Sequence, residues 1–221
     1  MKTIVAFGDS NTWGYDPAKG GRFAPDVRWT GVMRKALGAG HRVIEEGLNG
    51  RTTVFDDPIE PGRCGLDYLP PCLQSHAPLD LVIISLGCND MKKRFSATPG
   101  DIAGGAARLI EAALSSRADI EGKAPKVLLV APPPTAELTG FAEMFDGADE
   151  KSRTLSARYA ALAKAMGVAF LDAGAWIHCS DLDGIHYEAD QHKILGKAMA
   201  AAVRAALGDA GQKKASKKRK K

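Results

Sequence analysis

Apolar residues gather in five short runs along the chain: TIVAF (3–7), RVIEE (42–46), LVIISL (81–86), KVLLVA (126–131) and VAFLD (168–172). Runs of this length read as strands buried in a sheet. Between them the apolar positions recur at spacings of three and four, the period of a helix with one buried face. Ile102, Ala106, Leu109, Ala113 and Leu114 line up in this way after TPGD. Leu155, Tyr159, Leu162 and Met166 do so within 149–167, and Ile194, Leu195, Ala198, Met199, Ala202 and Val203 in the last stretch. Val32, Met33, Ala36 and Leu37 mark a shorter helix after the first strand. Strands that alternate with helices rather than hairpin turns predict a parallel sheet covered on both faces. The expected fold is therefore α/β, a doubly wound five-stranded parallel sheet between two helical layers.

Two stretches break this rhythm. Residues 51–78, rich in Pro, Gly and Asp, read as a long loop excursion, and residues 132–150, opening on PPP, read as another. Loops of this length in a compact domain usually shape a pocket or make a subunit contact, and both are expected to do so here. The chain then ends in QKKASKKRKK (212–221), with seven basic residues and no acidic one. Without it the chain carries 23 basic against 26 acidic residues, so the overall charge of +4 belongs to the tail. We expect a single domain over 1–208 and a basic, solvated, disordered tail over 209–221. A body with no basic surplus offers no broad face to nucleic acid, the tail aside.

The chain's 221 residues, 45% of them apolar, suffice for one sizeable core. No apolar run approaches the roughly 20 residues of a membrane span. The first run, about four residues, is short of the roughly 7–15 of a secretory h-region, so a cytoplasmic protein is expected. Cys64, Cys72, Cys88 and Cys179 show no CxxC pair and no zinc-like spacing with histidine, and read as small buried thiols. Nothing in the pattern asks for a metal or a cofactor.

In an open parallel sheet, ligands gather at the carboxyl ends of the strands. The first strand runs into GDSN with Ser10, the second into GLNG (47–50), the third into GCND with Asn89, and the fifth is followed by SDLDGIH with Asp183 and His186. These are the parts that acyl transfer needs. A serine hydroxyl is a poor nucleophile until a histidine takes its proton, and a carboxylate must hold that histidine in the right tautomer. Asp183 and His186 are three residues apart, close enough for one turn to join them. Backbone N–H groups in GLNG and at Ser10, with the Asn89 amide, can serve a developing oxyanion. A helix starting at Ser10 would add the positive end of its dipole. Each part alone has a plainer reading: Ser10 as a helix cap, Asn89 and Asp90 as turn caps, Asp183 and His186 as a surface turn. Asp9 reads as structural, and His41, His76, His178 and His192 as surface or structural. The convergence of the parts on one sheet edge carries the functional reading.

The four blocks GDSN (8–11), GLNG (47–50), GCND (87–90) and DGIH (183–186) resemble, in order and position, those of the SGNH hydrolases, also called the GDSL esterase/lipase family. The resemblance covers about residues 3–207. It implies a flavodoxin-like fold, Ser10 as nucleophile, His186 as base, Asp183 as its orienter, and Ser10 N–H, Gly50 N–H and Asn89 as the oxyanion hole. RFAPDVRWTG (22–31), EEGLNGRTT (45–53) and YLPPCLQSHAPLDLVII (68–84) are similar to a bacterial subset of arylesterases that also act as acyltransferases and perhydrolases. That similarity implies short-chain, acetyl-type esters as small substrates and a homo-oligomer built through the 51–78 and 132–150 loops. Asn11, where the family usually has leucine, Trp13 and Tyr15 are expected to shape the pocket. Carbohydrate O-acetyl esterase and lysophospholipase-type activities are the alternatives within the family. Outside it stands a non-catalytic flavodoxin-like binding module, which leaves Asp183 and His186 without a purpose.

Overall fold

The computed structural model describes residues 1–119 and 121–209. The basic tail lies almost wholly outside them. Five parallel strands, β1 (Lys2–Gly8), β2 (His41–Gly47), β3 (Leu81–Ser85), β4 (Lys126–Ala131) and β5 (Ala169–Asp172), form one sheet in the order β2-β1-β3-β4-β5. Ile4 pairs with Leu81, Leu81 with Lys126, and Leu128 with Ala169. The strand order reverses direction between β1 and β3, and that switch point is where a doubly wound sheet opens a crevice.

The helices are α1 (Ser10–Trp13), α2 (Trp29–Leu37), α3 (Gly65–His76), α4 (Pro99–Ser115), α5 (Ala148–Met166) and α6 (Ala189–Leu207). Because successive strand side chains alternate in direction, each central strand feeds two cores. Val5, Phe7, Val82, Ile84, Val127 and Leu129 meet α3, α4 and α5. Ile4, Ala6, Leu81, Ile83, Leu128 and Val130 meet α2 and α6. Full burial of such side chains stabilises by about 1.5–3 kcal/mol each, which explains why the strands read as unbroken apolar runs. α4 starts on a capping box between Thr98 and Asp101, with Pro99 in its first turn.

The structure departs from the sequence reading in several of its elements. β2, read as a buried strand, lies at the sheet edge with none of its residues fully buried. The 51–78 excursion contains α3, hidden in the sequence by Pro70 and Pro71 inside it. Proline removes a helical N–H and crowds the preceding turn, yet Leu69, Cys72 and Leu73 are buried on one face, and that burial holds the helix. The 132–150 excursion ends three residues early, where α5 begins at Ala148. Leu114 and Ile194, grouped by spacing with the buried faces, are exposed, and in α4 it is Ile110 that is fully buried. All four cysteines are free and buried. Among the described residues no helix is long and apolar enough to cross a membrane.

Candidate active site

β1 ends at Gly8 and the chain turns at once into the single helical turn α1. Asp9 caps it, its carboxylate accepting from Asn11 N–H at 3.0 Å. The turn lies directly against β2: a Cβ on Gly47 would stand 2.1 Å from the Trp13 nitrogen, so only glycine lets the two segments meet. This contact seats Ser10 at the carboxyl end of β1, beside the switch point. A helix does start at Ser10, but it is a single turn with little macrodipole, so its contribution is local N–H groups.

The second half of the site arrives 173 residues later. Residues 180–187 form a tight turn in which Gly184 has φ +79° and passes so close to Glu137 that a Cβ would lie 2.6 Å from its carbonyl oxygen. Asp183 Oδ1 accepts from Ile185 N–H and His186 N–H, both at 2.9 Å. Its Oδ2 faces His186 Nδ1 at 2.7 Å, and His186 Nε2 lies 2.9 Å from Ser10 Oγ. Burial alone would push the Asp183 carboxyl up, but the His186 side chain and the two backbone N–H groups outweigh it and hold it below its ordinary value. Asp183 is therefore an anion throughout the neutral range, aimed at the imidazole. Tyr15 lies against the His186 ring with centroids 4.3 Å apart, and Phe141 meets it edge-on at 6.0 Å.

Asn11 joins the two halves. Its Nδ2 donates to Ile185 O at 3.2 Å and its Oδ1 accepts from Tyr187 N–H at 3.2 Å. The sequence reading put Asn11 and Trp13 in the pocket, and here it is corrected: Asn11 is buried behind Ser10 with both amide ends engaged, and Trp13 lies under the Arg22 guanidinium, 5.0 Å from the ring centroid. Of the three expected pocket residues, Tyr15 alone lines the cavity.

Gly50 (φ +77°) and Asn89 complete the other wall. Asn89 Nδ2 donates to Arg51 O at 3.1 Å, leaving its second N–H for the cavity. Neither Ser10 N–H nor Gly50 N–H has an acceptor among the described residues. Asp90 stitches the two loops together: its Oδ1 accepts from Thr53 N–H at 2.9 Å and from the Thr53 hydroxyl. Arg51 anchors the base of the loop, donating to Gly8 O at 2.9 Å and to Glu46 O while its guanidinium lies 4.2 Å from the Phe7 ring centroid. Asp9 and Asp90, both fully enclosed, are each pushed up to about 6, chiefly by burial.

The cavity over Ser10 measures about 160 Å³. Phe141, Met144 and Phe145 form an apolar side, and Glu60 and Lys92 a charged one. Lys92 is buried, 2.6 Å from Glu60 and 3.2 Å from Asp57, and Arg94 reaches both carboxylates at 3.1 and 2.8 Å. None of these residues was singled out in the sequence. A lysine two residues before an arginine carries no signal until the 51–64 loop folds over it. Phe141, Met144 and Phe145 sit in the excursion that was expected to shape a pocket, without any pattern to pick them out. A cavity of this size is about half the lower end of a drug-sized pocket.

The comparisons with known proteins agree with this geometry. The pattern of the GDSL-like lipase/acylhydrolase family matches residues 6–194. An aryl esterase from M. smegmatis is 48% identical, covering 93% of this chain and 100% of its own, with a TM-score of 0.89. A carbohydrate acetylesterase from Sinorhizobium meliloti is 46% identical over 93% of this chain and 99% of its own, at a TM-score of 0.90. A carbohydrate acetylesterase family member from the same organism is 40% identical over 94% of this chain and 100% of its own, again at 0.90. No match is found among curated proteins. Four motifs at one sheet edge, a shared fold and a match over most of the chain have one reading: the chain belongs to the GDSL-like lipase/acylhydrolase family, the SGNH hydrolases, and is a carboxylic ester hydrolase.

Proposed function

We propose that the protein is a serine esterase for short, acetyl-type esters, working through an acyl-enzyme on Ser10. The observation that carries this reading is the continuous Asp183–His186–Ser10 hydrogen-bond chain opening into a cavity of about 160 Å³. A cavity near 150 Å³ holds a molecule the size of benzene, room for an acetyl group and the first atoms of an alcohol but not for a fatty acyl chain. That size speaks against a lysophospholipase-type substrate.

In this mechanism His186 Nε2 takes the Ser10 proton as Oγ attacks the ester carbonyl, and Asp183 stabilises the imidazolium. Ser10 N–H, Gly50 N–H and Asn89 Nδ2 receive the oxyanion. The imidazolium then protonates the leaving alcohol. Water, activated by the same histidine, releases the acid. The apolar side built by Phe141, Met144 and Phe145 also lets an alcohol or peroxide compete with water for the acyl-enzyme. The charged side suits the hydroxyl groups of an acetylated sugar, the second reading, which the 46% identical carbohydrate acetylesterase favours.

Exposed Ile59 and Met144 sit on the two long loops, and we place a homo-oligomer contact there. A cytoplasmic location completes the reading.

The test is hydrolysis of nitrophenyl esters from acetate to decanoate, with Ser10→Ala as control. Activity greatest on acetate, falling with chain length and lost in the variant, supports the reading. Turnover that survives Ser10→Ala sinks it.

A further inference from the structure

We propose that Glu46, Cys72 and His76 form a second site, outside the catalytic cavity, that binds a divalent transition metal of the zinc class. Cys72 and His76 stand one turn apart on α3, and Glu46 is the penultimate residue of β2. Their ligand atoms (a thiol sulfur, an imidazole nitrogen and a carboxylate oxygen) all lie within 4.8 Å of one another. His76 Nε2 is already 2.6 Å from Glu46 Oε1.

This donor set has a chemical preference. Mixed sulfur, nitrogen and oxygen ligands suit zinc and its neighbours, whereas calcium and magnesium ask for oxygen alone. Two ligands at i and i+4 on one helix share a face, so folding alone pre-orders them. Tyr68 hydroxyl donates to Glu46 Oε2 at 3.2 Å, the kind of outer bond that orients a ligating carboxylate. Glu46 and His76 keep 18% and 26% side-chain exposure, a route for the ion and for a water as fourth ligand, while Cys72 is enclosed. On binding, the metal–sulfur bond replaces the Cys72 S–H bond and the proton leaves to solvent. Without the ion, His76 Nε2 donates its N–H to Glu46 Oε1; on binding, that proton moves to Nδ1 as the other tautomer, the freed Nε2 lone pair takes the ion, and the Glu46 oxygen becomes its neighbour on the same metal. Arg51, which donates to Glu46 O and whose own carbonyl holds Asn89, links this cluster to the oxyanion loop.

The pairing was invisible in the sequence because the prolines concealed α3, and without the helix Cys72 and His76 have no common face. A second group, Asp56, Cys64 and Asp67, also has close ligand atoms. It lacks a histidine, and both its carboxylates belong to exposed residues, so it provides the control.

The experiment is titration of the full-length, chelator-treated protein with cobalt(II), read by absorbance. Expected are the visible bands of four-coordinate cobalt and a near-ultraviolet thiolate-to-cobalt charge-transfer band, saturating at one equivalent. Cys72→Ala abolishes the charge-transfer band, Cys64→Ala keeps it, and His76→Ala weakens cobalt binding by at least about tenfold, since even outer-sphere partners cost about 10–100-fold. Nitrophenyl acetate turnover and melting temperature report whether each variant folds. If Cys72→Ala does not, His76→Ala and Cys64→Ala still decide. Absence of the charge-transfer band in the wild type overturns the proposal. So does a band that survives Cys72→Ala or disappears in Cys64→Ala, or unchanged affinity in His76→Ala.

Discussion

Replacing Asp183 with asparagine changes one atom, and the surrounding hydrogen bonds dictate how the new side chain must sit. Asp183 Oδ1 accepts two backbone N–H groups, from Ile185 and His186, each at 2.9 Å. In Asp183→Asn, placing the amide NH₂ there would set donors against donors and leave two buried N–H groups unsatisfied, at about 1–3 kcal/mol apiece. The carbonyl oxygen therefore keeps the Oδ1 position. The NH₂ group then occupies the place of Oδ2, 2.7 Å from His186 Nδ1, and demands an acceptor there. The imidazole proton moves to Nε2, which faces Ser10 Oγ at 2.9 Å. A protonated Nε2 cannot take the serine proton. The same wrong-tautomer substitution in a serine protease lowers kcat by about 10⁴, and a loss of that order is expected here with the fold intact. The assay is nitrophenyl acetate hydrolysis by Asp183→Asn beside wild type, with circular dichroism and melting temperature as folding controls. Activity within about tenfold of wild type would show that Asp183 does not set the tautomer.

Other outcomes follow from the same contacts. Asn89→Ala removes one proposed oxyanion donor and should lower kcat by about 10²–10³ with little change in KM; a change confined to KM would assign Asn89 to substrate binding instead. Asp90→Asn should stabilise in a pH-dependent way. The carboxyl is raised from 3.8 to about 6 by burial, so its favourable contribution is complete below about pH 4 and disappears as pH rises through 6. The full effect is about 3 kcal/mol. Whatever constant cost the new amide brings, urea unfolding should show the variant gaining on wild type between pH 4 and 7.5, and parallel curves would contradict the assignment. Lys92→Met leaves Arg94 as the one cationic partner of Asp57 and Glu60 among the described residues and should cost about 3 kcal/mol, the low end for breaking a buried pair. A loss below about 1 kcal/mol in chemical denaturation would mean the cluster is not strongly coupled.

Much of the molecule was written along the chain because its elements are locally encoded. Strands buried on both faces must be apolar throughout, so TIVAF and KVLLVA announce themselves. Helices with one buried face repeat every three or four residues, so α4, α5 and α6 do as well. Glycine at 47 and 184, required by close backbone approach, falls inside two of the blocks that marked the site. Ser10, Asn89, Asp183 and His186 were legible for a related reason: each follows a strand, and parallel strands bring their carboxyl ends to one edge.

What only the tertiary structure decided depends on contacts between segments far apart in sequence. The burial of Leu69, Cys72 and Leu73 outweighs two prolines and creates α3, which no local pattern predicts. Asn11, next to Ser10, is held out of the cavity because Ile185 and Tyr187 satisfy its amide from 174 and 176 residues away. The charged wall of the cavity exists because the loop carrying Asp57 and Glu60 folds over Lys92 and Arg94. Local sequence determined which residues could be strand, helix or turn and placed the reactive groups at the strand ends. The volume of the cavity and the partners of its buried polar groups came from packing, in which a side chain's role is set by neighbours that the chain order does not name.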